Sequence, residues 1–254
     1  VEDEKQFPFS LVSIGLDGQV SSTPVSTGSS KTGDASLKLD DLEALALDPS
    51  GYVYALTSHS RDGDGDEKKS RDKLVRFQVD RQRLVAPMVI PGLKRALADA
   101  HPVLAAAAQI RDVKDAGGLN IEALEISPGQ QQLLIGFRSP LQGQHAIIAS
   151  VENPAAMFES GEPPRIAATL QTLDLGGDGI RGMAFIPALH GYLLISGPAA
   201  RADVHFGLWF WSGLVGAAPR RVTVPGLPGF EHAEGVTPAV IDGQQRIVIV
   251  SDDG

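Results

Sequence analysis

The sequence predicts an all-β fold, a β-propeller of about five blades within a range of four to six. A short motif with a charged residue recurs four times, and each copy is followed by a turn and a second apolar run. Gly and Pro, 28 and 17 residues, divide the chain into short segments rich in Val, Ile, Leu, Tyr and Phe, which is typical of strands between turns. These segments group into units of four, as the strands of propeller blades do.

Three complete units follow from this pattern, each with four predicted strands. The first comprises Leu42–Leu47, Tyr52–Thr57, Lys73–Val79 and Leu84–Ile90; the second Ile121–Ile126, Gln132–Arg138, Ala146–Val151 and Ala167–Leu173; the third Ile180–Ile186, Tyr192–Ser196, Gly207–Trp211 and Arg221–Val224. The last unit supplies two strands, Ala233–Ala239 and Arg246–Ser251, and the N-terminus supplies Ser10–Leu16 and Gln19–Val25.

The blade count depends on how the two ends are used. Four blades result if the N-terminal strands complete the last unit, and five result if the chain begins inside one blade and stops inside another. Val1–Glu4 and Ser251–Gly254 both resemble the end of a second strand, so one blade cannot hold both in that role. We therefore expect residues 1–254 to form a single propeller domain that is truncated within a blade at both ends.

One stretch, residues 92–116, departs from the strand pattern and predicts a short helical insertion. It is rich in Ala and Leu, Pro102 suits a first helical turn, and Gly117 and Gly118 suit a helix end. We expect it to cover a sheet edge or a blade junction, with a lid over the channel as the alternative. A further helical turn is predicted at Asn153–Pro154.

Composition limits the classes of partner. A formal net charge of −9 argues against non-specific nucleic-acid binding and against an anionic membrane surface. The absence of cysteine excludes disulfides and thiolate sites. No apolar run approaches the roughly 20 residues that span a bilayer, and the acidic first residues do not resemble a secretory signal. We expect a soluble domain with a small molecule or a metal ion as its partner, in a compartment that the sequence leaves open.

The charged repeat positions predict a site. Antiparallel neighbours place the start of one strand beside the end of the next, so the charged motif residues and the residues that end the second strands should share one rim beside the central channel. The rim residues predicted in this way are Glu43, His59, Glu122, Arg138, Arg181, Glu234, Asp252 and Asp253.

Three interpretations of this rim remain open. In the first, Arg138 and Arg181 neutralise the glutamates in a purely structural network between blades. In the second, carboxylates hold a hard cation such as Ca²⁺ or another divalent ion, with ligands Glu43, Glu122, Glu234 and Asp252. In the third, a metal-dependent hydrolase of phosphoesters or lactones uses the same ligands, and its catalytic residues are His59, Arg138 and Arg181.

A second acidic cluster, Asp62–Glu67, resembles the start of a calcium loop. The resemblance fails at the sixth and twelfth positions, which are Glu67 and Lys73 rather than Gly and Glu. We expect a solvated connection between two strands.

Several strings together resemble an uncharacterised bacterial family of propeller-like domains, similar in style to phytase-like and esterase-like propellers. They are NIEALEI, LLIGFRSPLQGQHAIIAS, LDLGGDGIRGMAF, HAEGV and IVIVSDDG. The matching positions, in order, are Val1–Glu4, Ser58–His59, Asn120–Leu124, Gly136–Arg138, Gly176–Arg181, Glu234–Gly235 and Ser251–Gly254. Ala44 and Ala123 depart from the glycine expected after the glutamate. The resemblance implies the fold and no established reaction. Phytase-like propellers bind calcium through carboxylates and lactonase-like propellers place a metal at the channel, so either chemistry is an expectation by analogy.

The leading hypothesis from the sequence is a propeller that binds a metal ion or a small anionic ligand at its charged rim. A metal-dependent hydrolase and a protein-interaction scaffold are the alternatives, and the sequence does not decide whether the protein is an enzyme.

Overall fold

The computed structural model describes residues 9–251 apart from residues 16, 27–36, 114, 201–205, 228 and 231. The strands in this part of the chain are β1 (Ser10–Ile14), β2 (Val20–Pro24), β3 (Leu42–Leu47), β4 (Val53–Thr57), β5 (Leu74–Asp80), β6 (Arg83–Ile90), β7 (Asn120–Ile126), β8 (Leu133–Ser139), β9 (Ala146–Val151), β10 (Gln171–Leu173), β11 (Gly179–Ile186), β12 (Gly191–Gly197), β13 (Gly207–Trp211), β14 (Arg220–Val222), β15 (Ala233–Ile241) and β16 (Gln244–Ser251). The helices are α1 (Leu93–Ala100), α2 (Pro102–Gln109) and α3 (Pro154–Ser160).

The strands form antiparallel meanders, because within each sheet every strand pairs with the one before it in the chain. The first sheet is β3–β4–β5–β6, the second β7–β8–β9–β10 and the third β11–β12–β13–β14, while β1–β2 and β15–β16 form separate two-stranded sheets. The first strands of successive sheets pack beside one another, β3 with β7, β7 with β11 and β11 with β15. The predicted all-β, propeller-like architecture is confirmed, and the number of blades stays a prediction.

Most strands begin and end within two residues of the predicted positions, and β10 is the main difference. The sequence predicts a strand over Ala167–Leu173, whereas β10 begins at Gln171. Ile166 forms an isolated bridge with Val151 and the N–H of Ala167 donates to the carbonyl oxygen of Ser150, but residues 167–170 form no continuous strand. This strand lies at the outer edge of the sheet, where it has one neighbour and fewer hydrogen bonds to hold a regular course.

Apolar side chains fill the spaces between neighbouring sheets. The junction of the first and second sheets buries Leu56, Ile121 and Phe137 without solvent exposure. Phe158 of α3 lies in the same cluster and meets Tyr54 edge to face, with ring centroids 5.5 Å apart. The core therefore sits between sheets, as stacked blades require.

The predicted helical insertion is confirmed as α1 and α2. Leu93 and Leu97 of α1 and Leu104 of α2 are fully buried in the same cluster between the first and second sheets. The insertion thus covers a blade junction, which was the expected role. Among the described residues, no helix is long and apolar enough to cross a membrane.

Candidate functional site

The four charged repeat residues occupy the same place in the structure. Glu43, Glu122, Arg181 and Glu234 each lie at a β-bulge in the first strand of a sheet, where the pairing register with the second strand shifts by one residue. A bulge leaves its extra residue out of the regular ladder and re-aims its side chain. All four line one cavity beside the first strands of the sheets, with a volume of about 1960 Å³.

Glu122 is the centre of a charged network. Its Oε1 accepts hydrogen bonds from Asn120 Nδ2 at 2.9 Å and Arg138 Nη1 at 3.3 Å, and its Oε2 lies 2.8 Å from Arg181 Nη1. Its side chain is only 6% exposed, so these donors replace the water that the carboxylate loses on folding. Burial raises the pKa of Glu122, and the Arg181 and Arg138 guanidiniums act in the opposite direction.

Arg181 joins three sheets. Its Nη1 binds Glu122 of the second sheet, and its Nη2 donates to Glu234 at the start of β15. Gly197 leaves room for it, because a Cβ at that residue would lie 3.0 Å from Arg181 Cγ. The Arg181 guanidinium also lies 5.5 Å from the ring centre of Phe206. These contacts fix Arg181 in one position.

Arg138 has a different role, because part of its guanidinium remains open. Its Nε donates to the carbonyl oxygen of Pro198 at 3.1 Å, and its Nη1 donates to Glu122. No described residue accepts a hydrogen bond from its Nη2. The side chain is 19% exposed and lines the cavity, so this edge can meet a ligand.

Glu43 is the bulge residue that the charged network does not include. In the described part of the chain it has no hydrogen bond or ion pair, although it lines the same cavity. Burial, followed by the negative charges of Glu122, Asp41 and Glu234, raises the pKa of Glu43 to about 9. At neutral pH its carboxyl group is therefore protonated and can donate a hydrogen bond.

His59 lies in a separate buried pair. It adopts a positive φ of 56°, its Nδ1 lies 2.8 Å from the carbonyl oxygen of Thr57, and its Nε2 lies 3.2 Å from Asp72 Oδ1. That last contact is close enough for an ion pair but is not aligned as a hydrogen bond. Burial lowers the pKa of His59, while the charge of Asp72 opposes this shift. The structure thus pairs His59 with Asp72 and not with the four bulge residues.

The predicted metal ligands are not gathered into a metal site among the residues described. No three Asp, Glu or His side chains in that part of the chain are placed to hold a metal ion. Glu122 and Glu234 face Arg181, and Asp252 lies outside the described residues, as does Asp253. A metal bound by Glu43, Glu122, Glu234 and Asp252 stays a prediction.

The acidic connection after β4 is held by its own donors. Asp62 Oδ1 accepts the backbone N–H groups of Asp64 at 3.0 Å and Asp66 at 2.8 Å, and its other oxygen lies 2.9 Å from Lys68 Nζ. The backbone bond from Asp66, followed by the bond from Lys68, lowers the pKa of Asp62 to about 2. Arg111, beyond α2, binds Asp66 Oδ1 at 3.1 Å. These groups already use the oxygens that a calcium ion would need.

Sequence reasoning did not include in the site the polar residues that stand two positions before three of the charged motif residues. Asp41, Asn120 and His232 occupy that position in three copies, and Asp41 and His232 adopt positive φ values of 60° and 59°. Asp41 binds Arg71, with 3.0 Å between Oδ2 and Nη1, beside the Glu43 carboxyl. The signal was present in the repeat, since Asp, Asn and His tolerate positive φ better than most residues do.

Comparisons with known proteins place the chain in a family and give distant structural likenesses. A family model described as "Protein of unknown function (DUF3616)" matches residues 91–254. No curated protein matches the chain.

Among solved structures, the chain is similar to a periplasmic gluconolactonase from Pseudomonas aeruginosa, with 12% identity and a TM-score of 0.38 over 93% of this chain and 55% of that one. This chain therefore spans about half the length of that protein. A protein from Lactobacillus plantarum matches with 8% identity and a TM-score of 0.36, over 92% of this chain and 69% of that one. A chain of a mitotic checkpoint complex matches with 10% identity and a TM-score of 0.30, over 83% and 90% of the two chains.

Proposed function

This chain belongs to the DUF3616 family of proteins of unknown function, and we propose from its own residues that it binds a small anionic ligand in the channel. The observation that carries the proposal is the set of four bulges that direct Glu43, Glu122, Arg181 and Glu234 toward one cavity. Structural bulges repeated at one rim commonly re-aim side chains for a site.

The donors of this site can receive a carboxylate or a phosphate. Arg138 offers the free edge of its guanidinium, and a protonated Glu43 offers an O–H group. Arg181 is held by Glu122 and Glu234, so it supplies fixed positive charge near the anion. The network around Glu122 therefore positions Arg138, while Glu43 faces the same cavity from the bulge of β3.

The binding test uses inorganic phosphate, malonate and benzoate as probes, measured by calorimetry and by the shift in melting temperature. A ligand that binds only the folded state raises the melting temperature with its concentration. For any of these anions that binds the wild type, Arg138→Met should raise the dissociation constant at least tenfold, because the open guanidinium edge is lost. Arg95→Met is the control, since Arg95 is 86% exposed on α1 and lies outside the cavity lining. An equal loss of affinity in Arg138→Met and Arg95→Met would refute the proposal, and so would the absence of binding by all three anions.

The pH dependence tests the role of Glu43. Ionisation of Glu43 above about pH 9 would remove a donor and add a repelling charge, so the dissociation constant should rise about tenfold per pH unit there. Glu43→Gln keeps a neutral donor, and its affinity should not change through that range. A parallel loss of affinity in wild type and Glu43→Gln would assign the pH dependence to another group.

A divalent cation is the second candidate, and one observation favours it. The pKa of Glu43 is raised partly by the charges of Glu122, Asp41 and Glu234, and a cation beside Glu43 would relieve that repulsion. Titration of chelator-treated protein with Ca²⁺, Mg²⁺, Mn²⁺ and Zn²⁺ tests this idea. A rise in melting temperature that disappears in Glu43→Gln would support the cation, and the absence of any rise would reject it.

A further inference from the structure

One carboxylate in the channel takes no part in the charged network at the bulges. Glu125 lies on β7, three residues after Glu122, and lines the same cavity. The corresponding residues of the other three repeats are Ala46, Ala184 and Thr237, which carry no charge. The repeated strand therefore does not require a charge at this position, and Glu125 needs a separate explanation.

Two backbone N–H groups from neighbouring sheets hold the Glu125 carboxylate in place. Its Oε1 accepts the N–H of Ile126 at 2.7 Å, and its Oε2 accepts the N–H of Phe185, on β11, at 2.8 Å. Each oxygen of an ionised carboxylate can accept a second hydrogen bond, so neither oxygen is saturated by these donors. The protein thus orients the group and leaves acceptor capacity for a ligand.

No cation in the described part of the chain pairs with Glu125, because the two arginines of the charged network bind Glu122 instead. Burial raises the pKa of Glu125 to about 7, and the two backbone N–H bonds act in the opposite direction. Tyr192 is the titratable neighbour on the third sheet, and its pKa is raised to about 12 by burial and by Glu125, so it stays neutral. Above about pH 7 the channel therefore holds an unpaired negative charge at this depth.

Aromatic rings border the same position. Phe185, whose N–H reaches Glu125, is half-buried and also lines the cavity. Its ring meets that of Tyr192 edge to face, with centroids 5.3 Å apart. A carboxylate beside aromatic rings suits an ammonium group, which can form a charge-assisted hydrogen bond with the first and a cation–π contact with the second.

We propose that Glu125 is the subsite for a primary ammonium group of the channel ligand. This inference rests on the proposed anion site at Arg138, and it makes the ligand amphoteric, with its acidic group at the bulges and its basic group deeper in the channel. A strand rises about 3.3 Å per residue, so Glu122 and Glu125 lie roughly 10 Å apart along β7. The ligand is therefore an ω-amino acid or a similar molecule, since the adjacent charges of an α-amino acid cannot reach both ends.

The first experiment uses calorimetry at pH 8 with pairs of probes that differ by one amino group. The pairs are butyrate and 4-aminobutyrate, hexanoate and 6-aminohexanoate, and octanoate and 8-aminooctanoate. In at least one pair the amino group should lower the dissociation constant at least tenfold. Glu125→Gln should abolish this gain, because a neutral amide does not pair with an ammonium group, and comparison within a pair cancels any general effect of the substitution.

Asp115→Asn is the matched control, since Asp115 is an exposed carboxylate that lines the same cavity. This variant should keep the gain from the amino group. The proposal is overturned if no pair shows a gain, if Glu125→Gln keeps it, or if both variants lose it equally.

The wild-type chain supplies a second test that needs no variant. Glu125 takes up a proton as the pH falls through about 7, whereas both charged groups of 6-aminohexanoate stay ionised from pH 8 to pH 6. The gain of 6-aminohexanoate over hexanoate should therefore decrease several-fold across this range. A gain that is the same at both pH values would contradict the role of Glu125.

Hexylammonium, which has no acidic group, separates this inference from the anion site. Its binding should be lost in Glu125→Gln and kept in Arg138→Met, whereas hexanoate binding should depend on Arg138. Hexylammonium that binds equally to wild type and Glu125→Gln would refute the ammonium subsite and leave the anion site standing. Hexanoate that ignores Arg138→Met, together with hexylammonium that requires Glu125, would refute the anion site alone.

Discussion

At the scale of single residues, two glutamates at equivalent positions make different contacts. Glu122 and Glu43 occupy equivalent bulge positions in two neighbouring sheets. Glu122 contacts Arg138, Arg181 and Asn120, whereas Glu43 has no ion pair with a described residue. The difference arises at the ends of the second strands: Arg138, near the end of β8, binds Glu122, whereas His59, just after β4, turns toward Asp72. Glu122 is therefore held by three neighbouring side chains, whereas Glu43 has no such contact among the described residues.

The first prediction concerns the stability cost of Glu43. Its pKa is about 9 in the folded state, against an ordinary value of 4.5, so the folded state holds more protons than the unfolded state between these pH values. Stability should therefore decrease as pH rises from about 4.5 to about 9. Glu43→Gln removes this term and should stabilise the protein by on the order of 2 kcal/mol at pH 7, with little effect at pH 4.

Urea unfolding of wild type and Glu43→Gln at several pH values measures this difference. Glu152→Gln serves as the control, because Glu152 is 42% exposed and pairs only with Arg165 at the surface. A stability difference between wild type and Glu43→Gln that does not change with pH would contradict the prediction.

At the scale of elements, the bulges and the close contacts between sheets position the site. Gly179, at the start of β11, lies so near the second sheet that an added Cβ would stand 1.9 Å from the carbonyl oxygen of Arg138. Gly182 lies similarly close to the next sheet, since a Cβ added there would stand 2.8 Å from the carbonyl oxygen of Glu234. Successive first strands can thus approach closely enough for Arg181 to reach both neighbouring glutamates.

The second prediction is that Gly179→Ala destabilises the junction of the second and third sheets. The obstructing atom belongs to the backbone and cannot rotate away, so the cost should be about 3 kcal/mol or more. Gly129→Ala is the control, because the atoms nearest to its added Cβ belong to the Gln131 side chain at 3.8 Å and beyond. Chemical denaturation compares the two variants, and similar small effects would show that the sheets can separate without cost.

At the scale of the whole molecule, the burial of the strands decreases from the middle sheets toward the two hairpins. β8 is nearly all buried, whereas every residue of β2 and most residues of β16 are exposed. The middle sheets are packed on both faces, whereas each two-stranded hairpin has an edge with no partner among the described strands. Cooperative stability should therefore be concentrated in the second and third sheets.

The third prediction follows for hydrogen exchange. Amides of residues 133–139 in β8 should exchange slowest, and those of residues 244–251 in β16 should exchange among the fastest. Mass spectrometry of peptides covering these strands measures the order. Equal protection of the two strands would contradict it.

Much of the fold was predictable from the sequence. β3, β9 and β13 begin and end at the predicted residues, and each is followed directly by a polar residue, Asp48, Glu152 and Ser212. The helical insertion was predicted by its alanines and by Pro102. β10 was predicted too long, since an apolar composition does not show where an edge strand loses its partner.

The sequence by itself determined the repeated strands and the positions of the four charged motif residues, because spacing and residue type are local properties of the chain. It also indicated that Arg138 lies near Glu122, since the two residues stand on the paired strands of one predicted hairpin. Only the tertiary structure decided that Arg181 joins two glutamates from other sheets, that His59 turns toward Asp72, and that Glu43 has no ion pair among the described residues. Those outcomes depend on distances between sheets and on backbone torsions at the bulges, which no local pattern in the sequence specifies.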